Sequence, residues 1–202
     1  TIRGVNDVPV ITGTHVGGVT EVDTSATGTL TATDIDDDDA DADTQWQIVQ
    51  VESDPPRPAG TGVYGNLALG ASTGASVGWT YTLTEGQDSW NTDNTFTDTF
   101  QVTASDGENT SAQFAVTITI VGVNTAPVIA GTATGAVTED VTTTTGTLTV
   151  TDVDGVAASA TNWTVLTPNG TYGTLTLGGT AGATVGWTYT LTAGEQSWGS
   201  TS

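Results

Sequence analysis

The chain contains no cysteine and no methionine, its only basic side chains are Arg3 and Arg57, and it holds a single histidine, His15. Without thiols there is no disulfide staple, no thiol redox chemistry and no zinc–thiolate site. Without lysine a Lys–Asn isopeptide cross-link is excluded as well. An activated serine or threonine nucleophile would have almost no base to draw on. Nothing in the pattern places two carboxylates across a cleft, as glycoside hydrolysis requires, so no enzyme is expected. No run of 18 apolar residues is present, and no membrane-spanning helix is expected. A basic segment followed by an apolar one is also missing, which puts any secretion signal outside these residues.

Against two arginines stand 23 acidic residues, a formal charge of −21. Phosphate backbones need cationic partners, so nucleic acid is excluded as a ligand, and an anionic membrane surface would repel the chain. A surface this acidic is either simply solvated or waiting for cations. A β-protein that lacks disulfides needs another clip, and a metal ion is the obvious one.

What is present is threonine, glycine and a 36% apolar fraction, enough for a sandwich core. The chain also repeats itself. At an offset of 118, Val19-Thr20-Glu21 falls on Val137-Thr138-Glu139, Gly28–Thr31 on Gly146–Thr149, and Asp34-Ile35-Asp36 on Asp152-Val153-Asp154. Farther along the offset is 108: Tyr64–Gly70 falls on Tyr172–Gly178, Val77–Thr84 on Val185–Thr192, and Ser89-Trp90 on Ser197-Trp198. The difference is an insertion near Glu52–Gly60 whose three prolines mark a loop. Gly4-Val5-Asn6 recurs as Gly122-Val123-Asn124. The expected organisation is the end of a preceding repeat and a linker over 1–8, a complete repeat over 9–123, and over 124–202 a second repeat lacking its last strands.

Period-two alternation predicts the strands. Trp79, Tyr81 and Leu83 share one face; Phe96, Asp98, Phe100, Val102 and Ala104 share another, as do Phe114, Val116, Ile118 and Ile120. Gly28–Thr33, Trp46–Val51 and Tyr64–Leu69 read as further short strands, and no stretch carries a helical stripe. About seven short strands in roughly 115 residues is the signature of a β-sandwich. The fold class is therefore all-β, with tandem immunoglobulin-like sandwiches and a truncated second module. In such an order the second strand ends at Asp34, and the strand ending near Ala104 runs the same way. The Asp34–Asp43 loop, the Ser105-Asp106-Gly107 turn and the Asn6-Asp7 linker then meet at one end of module one. Glu21, the Glu85–Asp88 turn and the outgoing linker at Asn124 meet at the other.

Taken together, Gly-Val-Asn-Asp-x-Pro-Val (Gly4–Val10), Val-Thr-Glu-Asp (Val137–Asp140), Gly-Thr-Leu-Thr-x-Thr-Asp-x-Asp (Gly28–Asp36, Gly146–Asp154), Trp-Thr-Tyr-x-Leu and Ser-Asp-Gly (Ser105–Gly107) resemble the VCBS repeats. These are cadherin-like tandem modules of giant bacterial surface adhesins with RTX-type secretion. The resemblance implies an extracellular spacer at the cell surface, rigidified by Ca2+ at module junctions and partnered by neighbouring repeats of the same chain. It implies ligands at Asn6, Asp7, Glu21, Asp34, Asp36 and Asp106 in the first copy, and at Asn124, Glu139, Asp152 and Asp154 in the second. Thr125 stands where the first linker has Asp7.

Other readings compete with each feature. Asp34 to Asp43 could form a site alone, but it is not an EF-hand: its sixth position is Asp39 rather than glycine and its twelfth is Gln45 rather than glutamate. The tryptophan pairs 46/163, 79/187 and 90/198 could stack on sugar, yet their apolar period-two neighbours predict core and corner packing. His15 has Ala133 as its counterpart and reads as a surface residue. Two functions of another class remain: a carbohydrate- or surface-binding module, and a filament subunit whose open second module a copy of the chain completes by strand addition.

Overall fold

Threonine, valine and isoleucine crowd the two faces of a pleated strand more comfortably than the turn of a helix. Among the described residues the chain accordingly folds into twelve strands and no helix. The computed structural model describes residues 4–36, 44–49, 57–84, 89–155 and 161–192. They fall into two compact units, 1–124 and 125–202. In unit 1 the strands are β1 (Val10–Gly13), β2 (Val16–Thr20), β3 (Ser25–Thr33), β4 (Gln45–Val49), β5 (Gly65–Thr73), β6 (Ser76–Leu83), β7 (Thr95–Ser105) and β8 (Phe114–Val121). One sheet has the order β1-β3-β6-β5, and the other β2-β8-β7-β4. Every pairing is antiparallel except β2 with β8, which is parallel and sets Thr20 opposite Val121.

The sequence suggests one first strand where the structure has two. Gly13 lies at φ +119°, a conformation closed to other residues, and a Cβ there would sit 2.4 Å from the Thr29 carbonyl oxygen. At this bend the chain leaves the first sheet and joins the second, the usual corner of a sandwich. The exposed carbonyl of Thr14 is taken by the Trp79 indole N–H at 2.7 Å. Unit 2 repeats both devices: Gly131 lies at φ +116°, and Trp187 donates to the Thr132 carbonyl at 2.7 Å.

The core of unit 1 lies between its sheets. Val77, Trp79, Tyr81 and Leu83 of β6 face Phe100, Val102 and Ala104 of β7 and Val116, Ile118 and Ile120 of β8, all buried. Each large side chain buried this way contributes roughly 1.5–3 kcal/mol. Trp46 and Trp90 are half-buried and pack against this core, Trp90 with its ring 4.5 Å from that of Phe96. Trp163 and Trp187 are buried in unit 2, so the five tryptophans described are core and corner residues. His15 is exposed, with its ring edge-on to Phe114 at 5.2 Å.

Unit 2 contains β9 (Val128–Gly131), β10 (Thr143–Thr151), β11 (Gly173–Leu177) and β12 (Thr184–Leu191) in one sheet of order β11-β12-β10-β9. It matches the first sheet of unit 1 strand for strand. Among the described residues there is no second sheet in this unit.

Candidate functional site

The register of β1 on β3 puts Val10 opposite Thr33, so the linker before β1 arrives beside the Asp34–Asp36 segment that follows β3. Three elements meet there. The Asp7 backbone N–H donates to Asp36 Oδ2 at 2.5 Å, and the Asp36 N–H donates to Asp34 Oδ1 at 3.0 Å. From the turn after β7, Asp106 Oδ2 accepts the Asn6 side-chain amide at 2.9 Å. Asn109 then ties the linker down, its side-chain amide reaching the carbonyls of Asn6 at 3.0 Å and Asp7 at 3.1 Å. The Asp106 carboxyl is held below the usual carboxylate range, first by the Asn109 backbone N–H, then by that of Glu108 and by the Asn6 amide. Five of the expected residues, Asn6, Asp7, Asp34, Asp36 and Asp106, are thus gathered at one end of unit 1.

Glu21 belongs to the opposite end. It follows β2, and its Oε1 accepts the Val123 N–H of the outgoing linker at 2.7 Å. Asn124 is the exposed last residue of the unit. In unit 2 the linker contact is reproduced: the Thr125 N–H donates to Asp154 Oδ2, and the Asp154 N–H donates to Asp152 Oδ1 at 2.9 Å. The contact uses a backbone amide, which is why it survives the change from Asp7 to Thr125. Glu139, the counterpart of Glu21, is exposed. The remainder of the acidic run (37–43), the 85–88 turn and Ser197-Trp198 lie outside the described residues.

Two contributors escape a reading by repeats. Asn109 has no counterpart in the second copy, and only its place three residues after Asp106 in a tight turn hints at its role. Asp98 is 2% exposed. Its carboxylate accepts the amides of Val63 at 2.7 Å and of Tyr64 and Gly65 at 3.0 Å, with the Tyr81 hydroxyl at 2.8 Å. Its signal in the sequence is a carboxylate at an inward position of an apolar strand.

The resemblance to calcium-binding repeats can be tested against these donors. Calcium takes six to eight hard oxygens, mixing carboxylates, carbonyls and water, and the residues gathered here offer only oxygen and amide groups. Asp34 Oδ2, Asp154 Oδ1 and Glu21 Oε2 are buried oxygens with no hydrogen-bond partner. A buried carboxylate oxygen without a donor costs free energy that a cation would recover. Among the described residues, no three histidine, cysteine, aspartate or glutamate side chains converge on one point. The donor types are those a calcium ion takes, with paired rather than triple side-chain carboxylates at each strand end.

Residues 6–119 match the family model described as Bacterial Ig domain. No curated protein matches the chain. Among solved structures, domains 4–9 of the surface layer protein SbsC are similar at 13% identity with a TM-score of 0.35, over 96% of this chain and 28% of that one. The Yersinia pseudotuberculosis adhesin InvE is similar at 11% identity with a TM-score of 0.35, over 89% of this chain and 51% of that one. The chain thus spans between about a quarter and a half of the length of these structures.

Proposed function

The chain belongs to the bacterial Ig domain family, and on that premise we propose that it is a non-catalytic extracellular spacer, of the VCBS or cadherin-like kind, whose linkers are stiffened by Ca2+. The observation that carries the reading is the repeated linker clip. In both units the amide at the same linker position bonds the second carboxylate of an Asp-x-Asp pair, Asp7 to Asp36 and Thr125 to Asp154. In each pair one carboxylate oxygen, on Asp34 or Asp154, is buried and partnerless.

Asp34 and Asp36 would hold the ion in unit 1, and Asp152 and Asp154 in unit 2. Bound there, calcium would neutralise the paired carboxylates beside the linker. The residues themselves already do the orienting. Asn109 fixes the linker carbonyls of Asn6 and Asp7, and Asn6 holds Asp106. With no lysine anywhere in the chain, no internal ammonium competes for these carboxylates. A spacer needs stiff connections to hold a tip away from a cell, whereas a lone binding module or enzyme does not.

Thermal melting of the chain in EDTA and in calcium tests the reading. An ion that binds only the folded form adds about 2.7 kcal/mol at a hundredfold excess over Kd, a rise on the order of 10 °C for a domain of this size. Coincident melting curves would contradict it.

A further inference from the structure

The parallel pair of β2 and β8 ends with Thr20 opposite Val121. Beyond it β8 runs on into the linker, while β2 turns away. Thr20 makes the turn: its N–H bonds the Asp23 carbonyl at 2.8 Å, and its hydroxyl accepts the amides of Val22 at 3.3 Å and Asp23 at 2.9 Å. The same turn recurs between Thr138 and Val141, with both bonds at 3.0 Å, so it is written locally in Val-Thr-Glu. Along β8 the Thr117 amide bonds the His15 carbonyl at 2.8 Å, and by period two the amides of Thr119, Val121 and Val123 face the same side. At Val123 the partner is a side chain, Glu21 Oε1 at 2.7 Å. The carboxylate thus carries the ladder one step past the end of β2, with a charge-assisted bond in place of a neutral one.

The linker is seated from its other side as well. Gly122 donates its N–H to the Asn94 carbonyl at 3.0 Å. Asn94 belongs to a tight turn closed by its own N–H on the Asn91 carbonyl at 2.9 Å and by the Asn91 N–H on Asn94 Oδ1 at 3.0 Å. Trp90, just before this turn, anchors it against Tyr64 and Phe96. A Cβ on Gly122 would fall 2.2 Å from the Asn91 carbonyl oxygen and 2.8 Å from Trp90 Cβ, so the seat admits only glycine. Gly4 holds the same place in the first Gly-Val-Asn, and a Cβ there would meet no atom of the described residues within 4 Å. Val5 is 83% exposed, whereas Gly122 is buried and Val123 half-buried. The motif does not seat itself; the base of unit 1 seats it.

We propose that Glu21 is a latch: together with the Asn91–Asn94 turn it locks the outgoing linker to unit 1 through Val123 without a metal ion, so that backbone freedom in the linker begins at Asn124. Glu21 then has a positioning role in addition to the calcium-ligand role that the resemblance gives it. Every bond in the latch joins protein groups within unit 1, and the proposal is independent of the calcium reading.

The test uses the full chain, isotope-labelled, in EDTA. Backbone relaxation and hydrogen exchange are read at Gly122 and Val123, with Val5 as the same motif position outside a seat and Ile118 as the reference for unit 1. Val123 should show an order parameter of about 0.85 and exchange at least tenfold more protected than Val5. Glu21→Ala should remove that protection while Ile118 keeps its own, and Glu21→Gln, which retains reach and an acceptor, should restore most of it. Gly122→Ala should loosen Val123, and Gly4→Ala should change nothing. Should Glu21→Ala fail to fold, the comparison of Val123 with Val5 in the unaltered chain decides. Three outcomes would overturn the proposal: Val123 as mobile as Val5 in EDTA, protection of Val123 that arises only when calcium is added, or protection indifferent to Glu21→Ala.

Discussion

Tyr81 donates its hydroxyl to Asp98 across 2.8 Å in the interior of unit 1, joining a strand of one sheet to a strand of the other. Burial first, then the bond to Asp98 and its charge, push the Tyr81 hydroxyl far above the usual tyrosine range. The folded state therefore keeps a proton that an unfolded chain releases near pH 10, at the ordinary value of about 10. This contribution to stability is complete below about pH 10 and is lost as pH rises beyond it toward the folded value. Denaturant unfolding should show stability falling in the alkaline range. Tyr81→Phe should be weaker by roughly 1–3 kcal/mol at neutral pH, because Asp98 loses a donor, and flatter above pH 10. Equal slopes for the two proteins would contradict this account of Tyr81.

The same carboxylate organises the loop before β5 through three backbone amides. Asp98→Ala strands those amides and the phenol in a dry interior. Each buried donor left unsatisfied costs roughly 1–3 kcal/mol, so a total loss of about 3 kcal/mol or more is expected from the shift in unfolding midpoint. Gly62→Ala should be comparably damaging, since its Cβ would fall on the carboxylate. A loss below about 1 kcal/mol for Asp98→Ala would mean that water replaces the carboxylate there.

Most of this architecture is legible in the sequence because its causes are local and periodic. The alternation of Trp79, Tyr81 and Leu83 places β6, and the copy at 185–192 places β12. The division of the first strand into β1 and β2 is not legible, because it depends on the φ of Gly13 and on where Trp79 finds its acceptor. Among the candidate residues, Asp34, Asp36, Asp152 and Asp154 announce themselves by recurring. Asn109 and the socket around Asp98 do not, because each acts through backbone groups distant in sequence. The alternation marks Asp98 as facing inward, but its four partners come from β6, the first residue of β5 and the loop before it.

A second steric relationship repeats in both units and gives a matched pair of predictions. A Cβ on Gly28 would meet the Trp79 ring at 2.5 Å, and one on Gly146 would meet the Trp187 ring at 2.5 Å. Trp79 is closed in by a second sheet, while Trp187 faces a groove into which it can shift. Overpacking a filled core costs typically about 1–3 kcal/mol. Gly28→Ala should therefore destabilise unit 1 more than Gly146→Ala destabilises unit 2, as residue-resolved hydrogen exchange would report. The reverse order would contradict the contrast drawn between the two cores.

Calcium should order the linker positions that the clips hold. Backbone relaxation of the Asp7 and Thr125 amides is expected to move toward rigid values, with an order parameter of about 0.85, when calcium replaces EDTA. Asp36→Asn should abolish the change at Asp7 while leaving that at Thr125. Unchanged relaxation at both amides would remove calcium as the source of linker stiffness.

The central claim is that a cation sits at the Asp-x-Asp end of each unit, and a calorimetric titration of the full chain with calcium tests it most directly. The account predicts saturable binding at about 0.1–1 mM, the range of extracellular modules. At least one site in each unit is expected, with Asp34→Asn removing the first and Asp152→Asn the second. Heat that never saturates, or a titration indifferent to both substitutions, would contradict it and leave the acidic residues as a solvated surface.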